Sequence, residues 1–172
     1  MVIVTGGISS GSLYSTYEDE DVYLVLEETV GIPGFTYDFI FGEDEDVPST
    51  AIYARMRGWY DGNPAHIIKL QQWNYTTEEW TNVTSATRDF PQSTEEMFYN
   101  FDLIDDSDYL SGGQIKLRIT HLSAGNITHL FHIDHLYLTQ ETPAQIAFTA
   151  TPRTFDFIAG KRKFDFKAGP RD

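Results

Sequence analysis

Residues 114–122 read QIKLRITHL. Ile115, Leu117 and Ile119, followed by His121, alternate with Lys116, Arg118 and Thr120. Side chains that change face at every residue describe a β-strand with one side in a core and the other toward water. The pattern therefore predicts Ile115, Leu117 and Ile119 buried, with Lys116 and Arg118 outside. Two glycines at 112 and 113 precede the run and SAGN at 123–126 follows it, both of them turn chemistry.

The same rhythm extends in both directions. HLFHIDHLYL (129–138) and MFYNFDL (97–103) read as strands, and HIIKLQQWN with EWTNV reads as a hairpin around NYTTE (74–78). AIYARMRGWY (51–60) alternates, with Ile52, Ala54 and Met56 inward and Tyr53, Arg55, Arg57 and Trp59 outward. FTYDFIF (35–41) sets Phe35, Tyr37, Phe39 and Phe41 on one face. VYLVLEE (22–28) is apolar on both faces, as a fully buried strand is. Residues 1–12, small and rich in Gly and Ser, read as a linker or flexible start. The only helical signal is one turn at 94–97. About nine short strands with turns every ten residues or so predict an all-β fold, a two-sheet jelly-roll β-sandwich over residues 13–140.

The chain has 172 residues, enough for one such domain and an appendage. It has no cysteine, which excludes disulfides and thiolate zinc sites. No apolar run reaches the roughly 18–20 residues of a membrane span, and residues 1–12 lack a basic, then apolar, export signal. The expected reading is a soluble protein with no membrane partner. A net charge of −14 argues against nucleic acid as a partner.

The appendage is a repeat. Residues 146–171 read IAFTATPR, TFDFIAGKR and KFDFKAGPR, with Phe148, Phe157 and Phe166 and then Arg153, Arg162 and Arg171 at matching places. Residues 145–172 hold six Lys/Arg against three acids, so the acidic excess lies wholly in the body. Three short strands need something to pack against. The expectation is a β-repeat arm, residues 145–171, that docks through its three Phe anchors and three Arg turns. An ordinary C-terminal meander folded onto its own acidic body is the alternative.

Four of the five histidines fall in residues 121–135. Strict alternation would place His132 and Asp134 on one face and His129 and His135 on the other, too far apart to share an ion, so no transition metal is expected there. The acidic loops at 18–21, 43–46 and 105–108 have oxygen ligands for calcium but no fixed calcium-loop spacing, and solvated loops are the alternative. Trp73 and Trp80 read as hairpin or core packing. The outward stripe Tyr53, Arg55, Arg57 and Trp59 is the better ligand face, although a sheet face packed by another subunit would show the same stripe. Sequons at Asn74, Asn82 and Asn126 read as incidental. No nucleophile elbow, phosphate loop or metalloprotease helix is present, so no catalytic residues are expected.

Residues 13–138 resemble the galactose-binding-like jelly rolls that include many carbohydrate-binding modules. IIKLQQWNYTTEEWTNV, GGQIKLRITHLSAGN and LFHIDHLYL carry the likeness. It implies a β-sandwich, a glycan as ligand and, in many members, a structural calcium. The tail is similar to Phe/Ala/Arg repeats of small structural proteins of tailed bacteriophages. Together these resemblances imply a non-enzymatic virion protein, a capsid decoration or head fibre. Its arm would dock on other virion proteins of capsid or tail, and it would form a homo-oligomer, with a trimer as one arrangement. The alternative is a carbohydrate-binding module, for example of a tail or baseplate component. An esterase or glycosidase on the same scaffold is a third.

Overall fold

The strand read first is the middle of a sheet. The computed structural model describes residues 1–17, 21–42, 47, 53–63, 66–83 and 96–140. In it β9 (Ile115–His121) is hydrogen-bonded on both sides. In chain order the other strands are β1 (Val2–Thr5), β2 (Gly7–Ser10), β3 (Leu24–Glu27), β4 (Phe35–Phe41), β5 (Tyr53–Tyr60), β6 (Ile68–Asn74), β7 (Glu79–Asn82), β8 (Met97–Asp102) and β10 (Leu130–Thr139). They form two five-stranded antiparallel sheets. Sheet A runs β1-β4-β9-β6-β7 and sheet B runs β2-β3-β10-β5-β8. This is the jelly-roll β-sandwich the alternation predicts. Only single 3₁₀ turns, at Leu13–Thr16 and Ser107–Tyr109, depart from strand and loop among the described residues.

The core lies between the sheets and is built by the inward half of each alternation. Ile115, Leu117 and Ile119 are buried, as expected, while Lys116 and Arg118 stand on the outer face. Phe35 of β4, packed beside Tyr37, meets Tyr60 of β5 and Phe131 of β10 across the gap. Each of these side chains stabilises the sandwich by about 2–3 kcal/mol relative to exposure. Thr36 and Thr120, opposite one another on β4 and β9, are buried and bonded hydroxyl to hydroxyl at 2.9 Å.

Outside sheet A, Arg118 clasps Asp38 with Nε at 2.6 Å and Nη2 at 2.9 Å. Its guanidinium lies 4.1 Å from the Trp80 ring. Trp80 pairs with Trp73 across the β6–β7 hairpin at 5.1 Å. The two tryptophans are thus hairpin packing and not core.

Residues 2–10 correct the expectation of a flexible linker. They form β1 and β2, which pair with β4 in sheet A and β3 in sheet B. The change of sheet falls at Gly6, with φ of 103°, where an added Cβ would sit 2.3 Å from Tyr37 Oη. A residue with a side chain is strained in that conformation. The Tyr37 hydroxyl lies 2.6 Å from the Gly7 carbonyl and 2.9 Å from that of Glu27, holding the crossing to the core.

β10 brings a second correction. Its register against β5 shifts between Ile133 and His135. A bulge adds one residue, so faces stop alternating there. His132 and His135 end on the same outer face, opposite Trp59 and Arg57, and not on opposite faces. The repeat arm with Phe148, Arg153, Phe157, Arg162, Phe166 and Arg171 lies outside the described residues, as do Ile52 and the loop residues 18–20 and 43–46.

Candidate ligand-binding face

The outward stripe of β5 stands where the sequence puts it. Tyr53, Arg55, Arg57 and Trp59 are half-buried on the outer face of sheet B, alternating with buried Ala54, Met56, Gly58 and Tyr60. Pairing with β8 and β10 turns the stripe into cross-strand rows. Tyr53 stands between Asp102 and Thr139, Arg55 between Asn100 and Tyr137, and Arg57 between Phe98 and His135. Trp59 lies beside His132.

Each row carries a flat ring and a hydrogen-bonding group. Trp59 stacks on His132 with centroids 4.1 Å apart and planes 7° from parallel, and the Tyr23 ring meets Trp59 edge-on at 4.8 Å. His135 packs on Tyr137 at 4.5 Å, and the Tyr137 hydroxyl lies 3.4 Å from Arg55 Nη1. The Arg57 guanidinium is 5.8 Å from the Phe98 ring. Phe98 is 68% exposed, more open than any ring of the half-buried β5 stripe.

Arg57 is the electrostatic centre. Its Nη1 bonds Asp134 Oδ2 at 3.0 Å, and its Nη2 bonds Asp21 Oδ1 at 3.0 Å and also Glu96 Oε2. Asp134 is fully buried, in the bulge of β10. Burial raises its carboxyl above the ordinary range, and Arg57 opposes that rise. Burial, and then the Glu96 carboxylate, push the Tyr23 hydroxyl up to about 12. His132 is held below its ordinary value by burial, with Asp61 at 3.6 Å opposing.

Asp21, Glu96 and Asp134 form a carboxylate trio close enough to share a cation. Calcium takes six or more oxygens, whereas here one guanidinium already bonds an oxygen from each of the three. The trio does not fit calcium. Of the other acidic loops, Asp106 caps the 3₁₀ turn through the Asp108 N–H, and Asp108 accepts from the Thr76 hydroxyl.

A second polar cluster lies at one end of the sandwich, between the sheets. Glu28, Tyr60, His66, His121 and His129 come together there from five segments. Burial alone would raise Glu28, but His121, the Tyr60 hydroxyl and the Asn126 N–H outweigh it and hold the carboxylate below its ordinary value. Burial, then neighbouring His121, lowers His66. Of the three histidines weighed for a metal from sequence, only His129 belongs to this cluster, and His121 joins it as the inward residue that ends β9. His66 and Glu28 carried no local signal, because topology alone unites them.

Sequence reasoning also missed Phe98, Tyr23 and Glu96, and it weighed His132 only for a metal. Phe98 had one available signal: it is the outward aromatic of MFYNFDL, next to a strand whose outward set was already a candidate.

No protein-family model matches the chain, and no curated protein matches it. Among solved structures it is similar to one described as "CBM4 structure and function", at 11% identity and a TM-score of 0.43, over 78% of this chain and 77% of that one.

Proposed function

We propose that this protein is a non-catalytic binding domain that takes carbohydrate on the outer face of sheet B. The observation that carries the reading is the row of Phe98, Arg57 and its carboxylates beside the Trp59–His132 stack. A pyranose presents flat patches of C–H and a rim of hydroxyls. Open aromatic rings match the former, and fixed guanidinium, amide and carboxylate groups match the latter. The test is a glycan array with the full chain and its Phe98→Ala and Trp59→Ala variants. Binding of a defined glycan class that both variants lose supports the reading. Absence of binding, or binding that both variants keep, overturns it.

A second reading concerns where such a domain works. The threefold Phe/Ala/Arg repeat of residues 146–171 favours a docking arm, and its likeness to phage structural repeats favours display on a virion, as a decoration or fibre protein. Deleting residues 145–172 should leave the body folded while particle incorporation or oligomerisation is lost. A body that unfolds on deletion would assign the repeats to its own core.

A further inference from the structure

The sandwich-end cluster has the composition and shape of a metal site. Glu28 follows β3, Tyr60 ends β5, His66 precedes β6, His121 ends β9 and His129 precedes β10. One ligand atom each from Glu28, His66 and His129 lies within 4.8 Å of the other two. All three residues also reach one atom, Tyr60 Oη, which is 2.5 Å from Glu28 Oε1, 3.0 Å from His66 Nδ1 and 3.3 Å from His129 Nδ1. Glu28 Oε2 and His129 Nδ1 are 3.4 Å apart. A tetrahedral zinc ion with bonds near 2.0–2.1 Å has ligands about 3.3 Å from one another. The two imidazole contacts of Tyr60 Oη and the Glu28 Oε2–His129 Nδ1 contact are close to that figure, and the shorter Glu28–Tyr60 contact would open on binding.

We propose that Glu28, His66 and His129 bind a divalent transition metal of the zinc type, with Tyr60 Oη at the fourth corner. Two imidazoles and one carboxylate suit zinc, or cobalt in its place, better than calcium or magnesium, which prefer oxygen alone. His129 thus joins a set drawn from other segments, whereas the sequence weighed it only against its neighbours on β10.

The surroundings support the assignment in two ways. Glu28 Oε2 accepts the Asn126 N–H at 2.5 Å, and His121 Nδ1 lies 3.0 Å from Glu28 Oε1, so the carboxylate is held from behind as ligands usually are. His66 and His129 are half-buried, so the site lies close enough to the surface for an ion to enter.

The test uses the full chain, stripped with chelator and titrated with zinc alone by calorimetry, with bound metal counted by elemental analysis. One zinc per chain is expected, with affinity at least about tenfold lower in His66→Gln and in His129→Gln. His135→Gln, on the outer face of sheet B, should bind as the parent does. Cobalt should give the intense visible bands of a four-coordinate ion, a readout of the parent protein that stands even if a variant fails to fold. Absence of stoichiometric zinc, zinc kept by the His66→Gln/His129→Gln double variant, or the faint bands of six-coordinate cobalt would each overturn the proposal.

Discussion

Arg118 and Arg57 both stand on the outer face of a sheet, each bonded to carboxylate and each beside an aromatic ring. Their settings differ. Arg118 bonds one partner, Asp38, through two nitrogens, and lies over half-buried Trp80. Charge and hydrogen bonds close on themselves, and nothing is left for a ligand. Arg57 divides itself among Asp21, Glu96 and Asp134, beside an open Phe98 ring. One cation against three carboxylates leaves acceptors in surplus. Glu96 Oε1 and Asp134 Oδ1 are buried without a hydrogen-bond partner among the described residues. On sheet A the arginine is matched by one carboxylate, while on sheet B one arginine faces three and leaves two carboxylate oxygens without a partner among the described residues.

The largest test of this contrast is Arg57→Met. It strands the fully buried Asp134, and removing one partner of a buried pair costs about 3–5 kcal/mol. Urea unfolding should show a loss of that order. A loss under about 1 kcal/mol, typical of an exposed pair, would mean that the two arginines are equivalent after all. Arg118→Met should cost less, about 1 kcal/mol, because both members of its pair are partly exposed and the discount for solvent applies.

Phe98→Ala should shift stability by no more than about 0.5 kcal/mol, as surface changes do, while lowering glycan retention. A large stability loss instead would make Phe98 packing rather than platform. The smallest effect concerns pH. His132 is held below the ordinary histidine value of 6.5. The unfolded chain therefore takes up this proton first, and the contribution of His132 is intact above pH 6.5, lost as pH falls from there, and level below its folded value. Melting temperature should decline between pH 7 and 5, less so in His132→Phe. An unchanged slope in that variant would remove His132 from the titration.

The sheets were legible because period 2 is a local property. QIKLRITHL needs no knowledge of its neighbours to declare a buried and an exposed side. The β5 stripe was legible for the same reason. What failed to show was whatever depends on departure from that period or on distant contacts. Gly6 looked like linker composition, because a crossing between sheets and a flexible tail both favour Gly. The bulge at 133–135 carries no residue signature, and it moved His135 to the face of His132. Glu28, His66 and His129 are ordinary loop residues until the ends of β3, β6 and β10 are brought together. Phe98 was hidden by its own strand, where Tyr99 and Phe101 are equally aromatic but point inward.

The placement of β1 and β10 gives the molecule unequal handles. β1 is an edge strand held on one side only, so a pull through it loads a single ladder. β10 runs between β3 and β5, and antiparallel bonds lie across the strand axis. Tension applied beyond Thr139 therefore loads both of its ladders in shear, with all their bonds sharing the force at once. A tether on that side draws on two ladders, where one through Val2 draws on a single ladder.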